Sequence, residues 1–263
     1  MEIAEPAMAN KNTQKQKNAV PGVGLFATPS GIRAVQSPAR AQILSVLSER
    51  ELPFDEIVKR SGKAKSTVSV HLQALGREGI VAEKPDPADS RKKIFYIKSQ
   101  YIGGLAAQKP VIRENNEALV RLAADPDPFM FYRLMFRTIR VSLLTEGINI
   151  DPVLQKAGYH VGERVYAAIA APGLPALLKK TAGFWKTNNL GAIEVESTAP
   201  LVLKVYDCFE CGSLPMLGRP ACAFDSGILQ AIFSRHYRLP QQVTETACYA
   251  MGDDHCRFVI VPG

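Results

Sequence analysis

Apolar and polar positions alternate in two patterned stretches, separated by a proline-marked break. Residues 1–30 mix Lys, Asn, Gln, Pro and Gly without periodicity and read as a flexible arm. From Ser37 the pattern tightens. Ser37 is placed to cap a helix with Pro38 at its first position, and Ile43, Leu44, Val46 and Leu47 form its apolar stripe. A short helix over Pro53–Arg60 turns Phe54, Ile57 and Val58 inward, and Gly62 breaks it. A third helix, Lys65–Glu78, has Val68, Leu72 and Leu75 at i, i+4 and i+7 and stops at Gly79. Ile80–Glu83 and Ile94–Ile97 read as strands joined by a polar loop from Pro85 to Lys93. A helical stretch near Val111–Ala123 then leads to Asp125-Pro126-Asp127-Pro128, which marks a boundary.

Beyond the boundary, helices are predicted over Phe129–Thr145, Pro152–Ile169 and Leu174–Thr187, and strands over Ala192–Ser197 and Leu201–Cys208. A further helix spans Ala223–His236. The chain closes with a hairpin, Val243–Ala250 and His255–Val261, turned at Gly252-Asp253-Asp254. Helices followed by an antiparallel hairpin make an α+β domain. The expected organisation is a flexible arm over 1–30, a winged helix-turn-helix over 31–98, a helical linker over 99–124 and an α+β sensor domain over 125–263.

Charge sharpens that division. Residues 1–123 hold 19 Lys and Arg against 12 Asp and Glu, whereas residues 124–263 hold 13 of each, so the whole excess of +7 lies in the first half. Basic charge gathered in one domain is the footprint of a polyanionic partner. On the third helix, Ser66, Ser69 and Gln73 share a face away from the apolar stripe, with Thr67 and His71 beside them. Hydroxyls, an amide and an imidazole suit base edges and phosphates. Lys63 and Lys65 stand at the helix start, where the dipole also favours phosphate, and Arg91, Lys92 and Lys93 crowd the wing. Double-stranded DNA is the expected partner.

The five cysteines are distributed the opposite way. Cys208, Cys211, Cys222, Cys248 and Cys256 lie within 49 residues, and none precedes them. The polar, lysine-rich start lacks the apolar core of a signal peptide, and no uncharged apolar run reaches the ~18 residues of a spanning helix. The best candidate, Val165–Leu178, is cut by Pro172 and Pro175. The expectation is a cytoplasmic protein without membrane contact, whose cysteines serve metal binding or thiol chemistry. Cys248 and Cys256 flank a tight turn and are expected to face each other across the hairpin, near disulfide distance. Cys208-Phe-Glu-Cys211 is a second close pair. No nucleophile–base constellation or cofactor loop is visible, so an enzyme is not expected. Trp185 with Phe184 reads as helix packing.

Lys65-Ser-Thr-Val-Ser-Val-His-Leu-Gln-Ala-Leu-Gly-Arg-Glu-Gly-Ile-Val81, with Ser37-Pro-Ala-Arg-Ala-Gln-Ile-Leu44, resembles the arsenic-repressor-type winged-helix family. The resemblance implies a homodimer on a pseudo-palindromic operator, one recognition helix per half-site. Glu245-Thr-Ala-Cys248-Tyr-Ala-Met-Gly252-Asp-Asp-His-Cys256-Arg-Phe258 resembles the C-terminal signature of the 4-vinyl reductase domain, a small sensory module. The two together resemble the methanogen-specific redox regulators. That resemblance implies a repressor, acting also on its own promoter, that binds DNA when its thiols are reduced and is recycled by a thiol reductant such as a thioredoxin-like protein. No cofactor is then required. In related aromatic-sensing regulators the same domain holds zinc, and Cys222, Glu245, Cys248 and Cys256 match those positions. This implies the alternative, a regulator sensing a small apolar ligand through a zinc-stapled domain. Glu245 and Cys248 are three apart and would point to opposite faces of a regular strand, so a shared site requires a bulge.

Overall fold

A computed structural model describes residues 22–87, 89–106, 112–113 and 116–263. It begins with a hairpin, β1 (Val23–Thr28) and β2 (Gly31–Val35). Three helices follow: α1 (Pro38–Glu49), then, after the two-residue strand β3 (Leu52–Pro53), α2 (Phe54–Ser61) and α3 (Lys65–Arg77). The wing is β4 (Val81–Pro85) and β5 (Lys93–Ile97), paired antiparallel from Val81 opposite Ile97 to Pro85 opposite Lys93. β3 adds to β5 as a third strand.

Local chemistry accounts for these ends. The Ser37 hydroxyl caps α1 by accepting from the Arg40 amide, and Pro38 supplies the helical φ. Gly62 ends α2 at φ +65°, a left-handed turn that favours glycine. Ile43, Leu47, Ile57, Val68, Leu72, Leu75 and Ile80 close on one another as the core of this half.

Two expectations are corrected here. Residues 22–30 are not part of a flexible arm: β1 and the β1–β2 connection fall there, and Phe26 and Val35 are buried in the winged-helix core. The hairpin turns at Thr28-Pro29-Ser30-Gly31, where Gly31 takes φ +105° and the Thr28 hydroxyl donates to the Gly31 carbonyl. Residues 1–21 lie outside the described residues. Nor is the segment from 99 to 124 helical throughout. Gln100–Leu105 is a strand, β6, paired with β1 and with the two-residue strand β7 (Ile148–Asn149). β6 satisfies the exposed edge of β1, and Gly103 lets the chains close up: a Cβ there would meet the Asn149 carbonyl oxygen at 2.4 Å. The sheet order β2-β1-β6-β7 ties the reader to the second half.

That half holds α4 (Asn116–Ala124), α5 (Pro128–Thr145), α6 (Asp151–Ile169), α7 (Leu174–Thr187) and α8 (Ala223–Tyr237). Its antiparallel sheet runs β10-β11-β9-β8, from β8 (Ala192–Thr198), β9 (Leu201–Tyr206), β10 (Gln241–Ala247) and β11 (Cys256–Pro262). Helix α8 packs against α6 at a crossing of small residues, where a Cβ on Gly227 would meet the Gln155 carbonyl oxygen at 2.1 Å. Trp185 is fully buried in the core of this half, as helix packing requires. The architecture is α+β throughout, and no helix among the described residues is long and apolar enough to cross a membrane.

Candidate functional site

The outer face of α3 presents Ser66, Val70, Gln73 and Arg77 to solvent, with Ser69, Thr67 and His71 half-buried beside it. No side chain caps α3, so its first-turn amides meet solvent next to Lys63 and Lys65. Reasoning from residue type alone passes over Val70 and Arg77. Val70, 61% exposed within an otherwise polar face, is a group suited to a thymine methyl. The i, i+4, i+7, i+11 spacing of Ser66, Val70, Gln73 and Arg77 is the signal that finds them. An open groove of about 620 Å³ runs between α3 and the wing, with Ser69, Gln73, Arg77 and Lys93 on its polar lining.

The basic residues of this face are held by carboxylates. Arg91 pairs with Asp89 at 3.0 Å, Lys93 with Glu83 at 2.5 Å and Lys65 with Asp55 at 3.5 Å. Hydrogen bonds from Arg91, helped by the charge of Lys92, hold the Asp89 carboxyl below its ordinary value. Such exposed pairs are weak in water, so a phosphate can displace the carboxylate at little cost.

In the second half all five cysteines are free, buried and gathered in one place. β9 ends just before Cys208, and the loop from 207 to 222 carries Cys208 and Cys211 and returns to Cys222 at the head of α8. β10 and β11 bring Glu245, Cys248 and Cys256. The ladder slips between Glu245 and Ala247, the irregularity needed to turn Glu245 and Cys248 toward one point. Cys222 Sγ lies 3.6 Å from Cys208, 3.6 Å from Cys256 and 3.9 Å from Cys248. The expectation that Cys256 chiefly faces Cys248 across the hairpin is corrected. Cys248 lies beyond the end of β10, and Cys256 stands opposite Val205 of β9. The sulfurs packed closely on Cys256 are those of Cys211 at 3.1 Å and Cys222 at 3.6 Å.

Three carboxylates surround these sulfurs. Glu245 Oε2 accepts the Cys222 amide at 2.9 Å, while its Oε1 is buried without a hydrogen-bond partner. Burial, reinforced by charge on Cys248, pushes the Glu245 carboxyl up to about 9. Asp225 lies 3.5 Å from the Cys208 thiol, and burial pushes its carboxyl well above the ordinary range. Thiol hydrogen bonds, those of Cys211 foremost, hold Cys208 and Cys248 below the usual thiol range. Cys211 and Cys256 are raised chiefly by their bonds to Cys208, and Cys222 chiefly by burial. Negative charge therefore settles on Cys208 and Cys248 and protons on the other three.

Helix α5 clamps the cysteine-bearing loop with three arginines. Arg133 donates to the Cys208 carbonyl at 2.7 Å and Arg137 to the Ser213 carbonyl at 2.7 Å. Arg140, 2% exposed, donates to Glu210 at 3.1 Å, to the Ala221 carbonyl at 2.7 Å and to Asp151 at 3.3 Å. Glu210 also accepts the amides of Phe224 and Asp225, and burial pushes its carboxyl up to about 8 against the pull of Arg140. Sequence reasoning misses Arg133, Arg137, Arg140, Glu210 and Asp225. The arginine spacing i, i+4, i+7 on an otherwise apolar helix is the signal that points to the first three. His255 bonds its neighbour Asp254 and stays outside the centre.

Two chemistries suit such a cluster. A pair of thiols can close to a disulfide. Thiolates with a carboxylate can hold a soft divalent cation, and the orphaned Glu245 oxygen is ligand-ready. An open cleft of about 260 Å³, lined by Cys222 and Glu245 among others, leads to the centre from solvent.

Comparison with known proteins agrees with this division. Residues 37–83 match the family described as bacterial regulatory protein, arsR family, and residues 201–262 match the 4-vinyl reductase domain. An uncharacterized protein of Methanocaldococcus jannaschii, MJ1642, is 29% identical over 126 residues, covering 48% of this chain and 74% of the relative. A solved vinyl-4-reductase family protein from the same organism aligns with a TM-score of 0.34 at 18% identity, covering 56% of this chain and 91% of that one. The phenol-responsive sensory domain of the transcription activator PoxR aligns with a TM-score of 0.39 at 13% identity, covering 73% and 88%. The chain thus joins an arsR-type helix-turn-helix to a 4-vinyl reductase domain, the composition of a transcription regulator with a sensing module.

Proposed function

We propose that this chain, an arsR-type reader joined to a 4-vinyl reductase domain, is a homodimeric repressor that binds DNA when its cysteine centre is reduced and releases it on oxidation. The observation that carries the reading is the gathering of every cysteine in the chain into one buried centre, with Cys211 and Cys256 at 3.1 Å. A disulfide needs a sulfur separation of about 2.05 Å, so a shift of about 1 Å suffices. With a hydroperoxide as oxidant, two thiols give up two electrons and two protons. The S–S bond forms, the peroxide O–O bond breaks, and an alcohol and water leave. A thioredoxin-like dithiol reverses the step, becoming a disulfide itself.

Oxidation at Cys211 pulls on the loop that Arg133, Arg137 and Arg140 clamp to α5. Helix α5 leads into β7, β7 pairs with β6, and β6 pairs with β1, whose Phe26 sits in the reader's core. A small displacement along this route changes the separation of two recognition helices, which a two-fold operator requires at about 34–36 Å or a multiple of it. DNA is read by Ser66, Ser69, Val70 and Gln73, with Thr67 and His71 at the edge of that face. Lys63, Lys65, Arg77, Arg91, Lys92 and Lys93 take phosphates.

In the reduced state, Cys222, Glu245, Cys248 and Cys256 suit one zinc ion, which would staple the ends of α8, β10 and β11. The specific observation favouring this is the buried, partnerless Glu245 Oε1. The reading as a whole is tested by the affinity of the full chain for DNA upstream of its own gene. A loss of at least about tenfold on peroxide treatment, equivalent to about 1.4 kcal/mol and reversed by a dithiol, is the expected result. Equal affinity in both states would remove the switch.

A further inference from the structure

The cysteine centre contains more ligands than one metal ion uses. Around Cys222, Cys248, Cys256 and Glu245, the ligand atoms all lie within 4.8 Å of one another. A second set, Cys208, Cys211, Cys222 and Cys256, meets the same limit. The two sets share Cys222 and Cys256. Each offers four ligands, the number a tetrahedral soft cation takes.

We propose that the reduced centre holds two divalent metal ions: one on Cys222, Glu245, Cys248 and Cys256, the second on Cys208 and Cys211, with the sulfurs of Cys222 and Cys256 bridging both. The proposal rests on the reading of the first set as a metal site and extends it to a second position with its own two terminal ligands.

The spacing supports this. With metal–sulfur bonds of about 2.3 Å, the edge of a tetrahedron is about 3.8 Å. Cys222 stands at 3.6 Å from Cys208, 3.6 Å from Cys256 and 3.9 Å from Cys248, in the middle of the cluster, where a bridging sulfur belongs. Cys211 and Cys256, at 3.1 Å, form the edge that must open on loading. Charge supports it too. Five thiolates and Glu245 make six negative charges in a dry site that also contains Asp225 and Glu210, with the Arg140 guanidinium bonded to Glu210. One dication leaves Cys208 and Cys211 either protonated or uncompensated, whereas two dications use all six ligand side chains. Loading displaces the thiol protons to solvent, and the cleft beside Cys222 and Glu245 provides the entry path.

The test is a cobalt(II) titration of the full-length chain, stripped of metal by a chelator under anaerobic reducing conditions. Thiolate-to-cobalt absorption should rise linearly and break at two equivalents per chain. The paramagnetic resonance of isolated high-spin cobalt should grow to one equivalent and then fall, because the bridging sulfurs couple the second ion to the first. In Cys208→Ser/Cys211→Ser, the absorption should break at one equivalent with the resonance undiminished, and Trp185 fluorescence should confirm a folded domain. A break at one equivalent in the unsubstituted chain would overturn the second ion and leave the first. Two equivalents without magnetic coupling would place the second ion elsewhere and overturn the bridged centre. No tight binding would overturn both positions and leave the thiol switch, which is judged on DNA affinity alone.

Discussion

Replacing Arg140 with alanine removes the clamp between α5 and the cysteine-bearing loop. The guanidinium is 2% exposed and makes three hydrogen bonds, to Glu210 at 3.1 Å, the Ala221 carbonyl at 2.7 Å and Asp151 at 3.3 Å. Deleting one partner of a buried ion pair costs about 3–5 kcal/mol, because the other is left uncompensated. Glu210 keeps the amides of Phe224 and Asp225, which places Arg140→Ala at the lower end, about 3 kcal/mol. Trp185 is the chain's only tryptophan and is fully buried in the core that contains the cysteines, so its fluorescence in a urea titration reports this half alone. With a slope of about 1–3 kcal/mol/M, the midpoint should fall by about 1 M or more. Arg140→Lys should recover little, since a point charge cannot meet three acceptors arranged for a planar fork. Adding Glu210→Gln to Arg140→Ala should cost less than the sum of the two single changes. A loss below about 1 kcal/mol for Arg140→Ala would refute the clamp.

Four further outcomes are expected. Lys92→Ala should weaken binding to all DNA sequences alike and reduce the slope of log affinity against log salt by about 0.9 for each phosphate it no longer neutralises, measured by anisotropy. Gln73→Ala should instead relax discrimination at one base pair by about 1–3 kcal/mol, read from a panel of single-base operator variants. Phe26→Ala should destabilise the reader by about 3–5 kcal/mol in thermal unfolding, where an unstructured segment would show no change. Cys211→Ser and Cys256→Ser should each abolish the response of DNA affinity to peroxide while leaving the reduced-state affinity unchanged.

Much of this architecture is legible along the chain. Long helices with a clear period, such as Leu174–Thr187, carry their own signal, and so does the closing hairpin. The short strands are harder. β1 is six residues flanked by glycine and proline, and β6 carries Gly103 and Gly104, whose strand character comes from partners distant in sequence. The cysteine centre is legible as a set but not as a geometry. Spacing across a hairpin suggests Cys248 with Cys256, whereas tertiary packing brings in the loop from 207 to 222 and sets Cys211 against Cys256. Buried polar residues such as Glu210 and Asp225 leave no periodic trace, because their positions answer to a hydrogen-bond network rather than to an apolar face.

The central claim, that the state of the cysteines governs DNA binding, is tested most directly on one sample carried through reduction, peroxide oxidation and re-reduction. DNA affinity and free thiols are read at each stage. The account predicts that affinity falls as two thiols per chain disappear and returns as they reappear. Loss of the thiols with affinity unchanged would contradict it.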